Sequence, residues 1–549
     1  MLRNPIRFIL PSLTLSLLSA LAVPAPAAAL PQEWIAKWRA DLVTARTALE
    51  ERHPSLFHSV TREALDSAFA DLAARLPELE QHEAVVALAA IVAQVGDGHT
   101  RLTLPLGPGI EFDQGHSTTP PPTLPEMRFH QLPLRIAIDD QGPWIERIAR
   151  RHRDLLGARI TAVDGRPIDE VIAAVSPTIQ RDNELQVLYH LPMHLVLPEL
   201  LHARGMLADP GRAELTVRTP EGVERSLVLA PVAFDESIDW VGPLELGIKP
   251  PLSARYGQRN YDLVYLEAAG AVYVPFNVVY DEEEESIRDF ASRLSSFIAE
   301  PAPGRPVEKL VLDLRRNRGG NGALLKPLLH AIIASPLNRT GRLYALIGRE
   351  TFSAAMFLAL DLEKQTEVIF VGEPTGTRPN HYGDSRKVQL PNTGLTLRIS
   401  TLYWQSHPRD TRSAISPQLP VAVARDDVLA GRDPVIDTVL GLAAPATGVP
   451  WTQRPLWRGE VRTGSGAFPW ALRIEPGDGD DRARVDLPAL GVEGAQVEDL
   501  SLEAAGVGFV LPLGDSTMPF RGMALGERLF GTFDLGSFRL SFFLAPAEE

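Results

Sequence analysis

The sequence predicts a multidomain α/β protein with a helical N-terminal part and an all-β C-terminal module. Three observations predict it. Residues 31–95 repeat apolar side chains three and four apart, the spacing of one helix face. From about 250 to 445, short apolar runs such as "EKLVLDLRRN" and "EVIFVGE" alternate with helical stretches, the pattern of a largely parallel sheet covered on both faces. Beyond 447, short alternating runs are punctuated by Gly, Asp and Pro, the texture of a sandwich or barrel.

Each part follows in chain order. Residues 1–29 read as a secretory signal: Arg3 and Arg7 precede an apolar stretch from Phe8 to Val23, and Ala27-Ala28-Ala29 fits a cleavage site. That stretch is short for a membrane span of about 20 residues, so export to the periplasm or medium is expected, with no span after cleavage. A helical cap is expected over 30–105, with Thr61 as an N-cap and an end before Gly96-Asp97-Gly98. The Pro- and Gly-rich stretch 106–127 reads as a linker. Short strands and helices broken at Pro192 and Pro198 fill 129–235. The α/β core occupies 250–445, where the acid run Asp281–Glu285 is expected to open a helix. The β module takes 450–549.

Bulk properties narrow the function. A length of 549 residues, at roughly 150 per domain, makes room for three or four domains. A net charge of −15 argues against nucleic acid as the main partner, because phosphate binding needs clustered Lys and Arg. The absence of cysteine excludes disulfides, thiolate metal sites and a Cys nucleophile. The histidines show no metal-ligand spacing, so neither a metal nor a cofactor is expected.

Three stretches could carry chemistry. In "GRETFSAAMF", Ser353 lies between a buried strand and a helix, where N–H groups and the dipole favour negative charge. Serine is also a preferred helix cap, so the local sequence leaves cap and nucleophile both open. In "LDLRRNRGGNG", Gly319 and Gly320 follow a buried strand and let backbone N–H groups converge without Cβ obstruction. The plainer reading is a turn with Asp313 and Arg315 paired. In "VGDGHTRL", His99 occupies a glycine turn; it is either a general base or a solvated imidazole. Trp404 and Tyr403 in "STLYWQSH" read as strand packing rather than ligand contacts.

The order of these motifs resembles the tail-specific (C-terminal processing) serine proteases, in their tricorn-like and retinoid-binding-protein-like branch. The resemblance runs over roughly 33–445, through "HPSLF", "GDGHTRL", "ARITAVDGRPIDEV", "KLVLDLRRNRGGNGALL", "RETFSAAMFLALDL" and "IFVGEPTGTRPN". It implies a crotonase-like (ClpP-like) core, a PDZ-like domain at 129–235, and a serine peptidase acting on peptide or protein substrates through an acyl-enzyme. A PDZ-like domain would recognise a substrate's free C-terminus. Ser353 maps onto the nucleophile, and a glycine of Gly319-Gly320 with Ala354 onto the oxyanion donors. One branch uses a lysine where this chain has Arg378, which cannot act as base. The base is then His99, with His381 as second candidate and Asp410 as the acid that would orient His99. Two alternatives share these residues: an esterase using the same serine, and a non-catalytic ligand-binding protein. The β module resembles a lipocalin-like barrel.

Overall fold

The computed structural model describes residues 30–107, 128–301, 305–408, 410–441 and 455–547, except 464–465, 476, 478–480, 504–505, 515, 526–527 and 536–537. The predicted signal and nearly all of the predicted linker lie outside the described residues.

Helices Gln32–Arg52, Arg62–Arg75 and Gln81–Ala93 form the N-terminal part. Thr61 Oγ1 accepts from the Ala64 N–H at 3.2 Å, which satisfies one of the orphan donors of the second helix. Trp38, Leu49, Leu65, Val85 and Leu88 turn one face of each helix into a shared core. A hairpin from far along the chain, Arg386–Gln389 with Thr396–Ile399, packs Val388, Leu397 and Ile399 into that core. Its second strand pairs antiparallel with Arg101–Thr103. Asp41, fully buried, ties the hairpin down by accepting from the N–H groups and side chains of Asn392 and Thr393.

Residues 129–241 contribute an antiparallel sheet built on Leu134–Asp139, Gly142–Ala149, Arg159–Val163, Ala213–Arg218 and Glu224–Leu229. Its apolar face joins the same cluster as the N-terminal helices, so the two predicted regions share one core. Pro192 does not break its helix, which runs Glu184–His194. Pro198 instead opens the next helix, where a missing N–H costs nothing.

The central sheet has six strands. Leu419–Pro420, Ile369–Gly372, Leu343–Ile347, Lys309–Asp313 and Ala271–Pro275 run parallel in that spatial order, and Val264–Leu266 closes the edge antiparallel. Every residue of the three central strands 271–275, 309–313 and 343–347 is buried, as apolar runs covered on both faces require. Helices Ile287–Ala299 and Ala354–Gln365 cover one face; Pro434–Gly441 covers the other. The helix after the acid run starts at Ile287 rather than within it. Ser286 caps it, and Glu282 and Glu285 pair with Arg259 and Arg293 instead.

At the end of strand 309–313, Arg315 bridges Asp313 at 2.7 Å and Asp433 at 2.8 Å, all three side chains nearly inaccessible. Tyr273 donates to Asp313 as well. The sequence-level pairing of Asp313 with Arg315 is therefore half of a triad that anchors the loop leading to Gly319. Arg315→Met is expected to destabilise the core by roughly 3–5 kcal/mol, because two carboxylates lose their buried cation; urea unfolding followed by core tryptophan and tyrosine signals would measure it.

The C-terminal module is one antiparallel meander from Leu456–Thr463 to Phe538–Pro546, whose first and last strands pair. Segment 492–503 pairs with Arg482–Leu487 at one end and with Gly506–Leu513 at the other, so the sheet curls into a nearly closed barrel. Trp470, Phe509, Phe520 and Phe542 pack its interior. Phe530 and Phe543 point outward and join Val435, Ile436 and Val439 of the core.

Candidate active site

The strand Leu343–Ile347 ends in a turn that enters the helix Ala354–Gln365 at Ser353. Ser353 has φ 55° and ψ −121°, outside the comfortable range of a non-glycine residue. Such strain persists only where neighbours enforce it. Here Phe352 N–H donates to Asn317 O at 3.0 Å, and the Thr351 hydroxyl donates to Leu314 O at 2.9 Å. The Ser353 side chain does not cap its helix. Its Oγ lies 3.1 Å from His99 Nε2.

The glycine loop sits against this turn. A Cβ on Gly319 would lie 2.7 Å from Ser353 Cβ and 2.8 Å from Ala354 N; one on Gly320 would lie 2.5 Å from Val279 O. Both glycines have positive φ, 98° and 137°. Asn317, fully buried, braces the loop: Oδ1 accepts from Gly319 N–H at 2.8 Å while Nδ2 donates to Phe276 O at 2.7 Å. Gly319 N–H is thereby committed. The N–H groups of Gly320 and Ala354 donate to no group among the described residues.

His99 follows the helix Gln81–Ala93 and precedes the strand Arg101–Thr103. Its turn is wrapped around Asp97. Asp97 Oδ1 accepts from His99 N–H and Thr100 N–H, each at 2.8 Å, and from the Ser400 hydroxyl at 2.8 Å. Asp97 Oδ2 faces His53 Nε2 at 3.1 Å. Because Ser55 N–H donates to His53 Nδ1, the ring proton sits on Nε2 and is donated to Asp97. Burial alone would raise the Asp97 carboxyl, but the hydrogen bonds it accepts from His53, Thr100 and Ser400 outweigh it and hold it at about 2. The His99 ring stacks on Phe352 at 4.4 Å.

Other predicted residues lie elsewhere. His381 stacks 5.8 Å behind the His99 ring and 5.2 Å from Phe357. Its Nδ1 donates to Arg378 O at 3.0 Å, and burial pushes the imidazole down to about 4, so it is neutral. It walls the site rather than meeting the hydroxyl. The Asp410 carboxylate is not brought to His99: Arg412 takes it at 2.8 Å and also pairs with Glu363 at 2.7 Å. Arg378 Nε donates to the main-chain oxygen of Asp182. Tyr403 and Trp404 do form a strand, Leu402–Gln405, but all four of its residues are exposed instead of packed. Trp404 still meets Phe357 edge-on.

Sequence reasoning missed four contributors: the carboxylate of Asp97, His53 behind it, Asn317 as the loop's brace, and Asp182, which accepts from Gly98 N–H. The first three lie inside motifs already quoted, without a part in the chemistry assigned to them there. Nothing in the local sequence marks Asp182.

Comparison with solved structures places this architecture. The crystal structure of mature CPAF matches 74% of this chain and 96% of its own, at 14% identity and a TM-score of 0.50. The chain shares its fold with mature CPAF. The photosystem II D1 C-terminal processing protease matches 72% of this chain and 98% of its own at 15% identity, with a TM-score of 0.34. The tricorn protease matches 74% of this chain and 36% of its own at 15% identity, with a TM-score of 0.32. No family model and no curated protein matches the chain. Within the CPAF-like fold, hydroxyl and imidazole come together across 254 residues of chain.

Proposed function

We propose that this protein is an exported serine peptidase working through an acyl-enzyme. The observation that carries the reading is the Ser353 hydroxyl, held in a strained turn, left out of helix capping and 3.1 Å from His99 Nε2. In this mechanism Ser353 Oγ attacks the substrate carbonyl carbon while its proton moves to His99 Nε2. The N–H groups of Gly320 and Ala354 hold the oxyanion; Gly319 serves by its lack of a side chain, not by donating. His99 then returns the proton to the departing amine. Water, deprotonated by His99, releases the acyl group and restores Ser353. Losing one oxyanion donor of this kind typically costs roughly 10²–10³ in kcat.

The finer assignments belong to the same reading. The six-stranded unit is the crotonase-like core, the sheet of 129–241 is PDZ-like, and residues 1–29 direct export. The substrates are peptides or proteins, recognised at a free C-terminus by strand addition. The test is fluorophosphonate labelling of the purified protein, with Ser353→Ala to identify the site and His99→Ala against His381→Ala to identify the base. Labelling lost with His99→Ala and kept with His381→Ala is the expected pattern. Labelling that survives in Ser353→Ala would end the proposal.

A further inference from the structure

Asp182 is a buried carboxylate without a fixed cation. It is 2% exposed. Oδ1 accepts from Gly98 N–H at 2.9 Å, and Oδ2 accepts from the Thr377 hydroxyl. Among the described residues no Lys or Arg side chain meets either oxygen; Arg378 binds only its main-chain carbonyl. Taking a carboxylate out of water is costly unless a positive charge compensates. Burial raises the Asp182 carboxyl, and the charge of His99 is the strongest influence opposing that rise.

His99 poses the complementary problem. Its ring is buried, yet it must become a cation when it takes the Ser353 proton. The groups around this ring and its turn come from four elements. Phe352, beside Ser353, offers a π-face. His381, from the strand Asn380–Gly383, is neutral and cannot share the charge. Asp97, from His99's own turn and backed by His53, is committed to four hydrogen bonds. Asp182 comes from the loop before the helix Glu184–His194 and contacts the residue preceding His99. That loop is pinned: Asn183 Nδ2 donates to Thr375 O at 3.0 Å and Ser413 O at 2.7 Å, and Asp182 N–H donates to Gln186 Oε1 at 2.7 Å.

We propose that Asp182 is a positioning residue that supplies the counter-charge for the His99 imidazolium and, through Gly98, fixes the turn that aims it. The inference rests on the hydrolase reading above. It gives the loop before the helix Glu184–His194 a role in the chemistry, and it makes Thr377 the group that orients the carboxylate.

The experiment is the pH dependence of the fluorophosphonate labelling rate in wild type, Asp182→Asn and Thr377→Val, with folding checked by circular dichroism and melting temperature. Removing the anion disfavours protonated His99, so the imidazole reaches its basic form at lower pH. The acid limb of Asp182→Asn should therefore move to lower pH by roughly a unit or more, while the plateau rate falls by about tenfold or more. Thr377→Val should shift the limb in the same direction by less, and it keeps the test alive if Asp182→Asn does not fold. A residue with only a structural role would lower the rate without moving the limb. A folded Asp182→Asn whose acid limb superimposes on wild type overturns the inference, as does an unmoved limb in Thr377→Val should that variant alone fold. Wild-type protein that does not label at all removes the hydrolase reading and this inference with it, so the two failures are told apart.

Discussion

Ser353→Ala is expected to lose covalent labelling and hydrolysis completely while folding like wild type. The hydroxyl makes no helix cap, so its removal leaves no backbone donor newly unsatisfied. It surrenders only the contact to His99. A companion variant separates strain from chemistry. Ser353 holds φ 55°, which glycine adopts without penalty. Ser353→Gly should be equally inactive yet melt higher than Ser353→Ala, by a margin on the order of 1 kcal/mol. Equal melting of the two variants would mean that the turn stores no strain, and the case for an enforced nucleophile would weaken with it.

Gly319→Ala is expected to be nearly as damaging to activity, although it deletes no functional group. The added methyl would stand 2.7 Å from Ser353 Cβ and 2.8 Å from Ala354 N, on a backbone at φ 98°. Neither neighbour can yield cheaply, since one is the strained turn and the other the first residue of a buried helix. Positive-φ strain and overpacking each cost roughly 1–3 kcal/mol. Relief requires the glycine loop to withdraw from Ser353, which separates the Gly320 N–H from the Ala354 N–H. The labelling rate should fall by at least the roughly 10²–10³ attributed to one oxyanion donor. Full activity in Gly319→Ala would show that the loop does not form the oxyanion site. Asn317→Ala offers a milder version, because it frees the Gly319 N–H without adding bulk.

Periodicity and composition made much of the frame legible. The three central strands of the core read as unbroken apolar runs because both their faces are covered, and burial of every residue in them follows from that. Thr61 announced the start of its helix because capping is a local affair between residues three apart. Ser353, His99 and the glycine pair were each visible as residues with two readings. Locally, a serine before a helix is a cap. The choice between cap and nucleophile depends on where its hydroxyl points, and that is a matter of a partner 254 residues away.

The errors have the same cause. Asp410 follows from the family resemblance, which places a supporting acid in its stretch of chain, and nothing local shows which cation its carboxylate meets. Arg412, two residues on, takes its carboxylate and bridges it to that of Glu363. His381 looked like a base because it lay on the expected segment; stacking and burial leave it neutral behind His99. The strand Leu402–Gln405 has the apolar composition of a packed strand, yet it is the exposed member of a two-stranded ribbon.

Taken alone, the sequence determined which segments become helices and strands, where glycine is needed and which residues own the reactive groups, because those properties are set by neighbours a few positions apart. Only the tertiary structure decided which imidazole meets the hydroxyl, which amide is left to donate and which carboxylates stand behind His99. Those outcomes depend on burial and on hydrogen bonds between distant segments, and no local pattern encodes them.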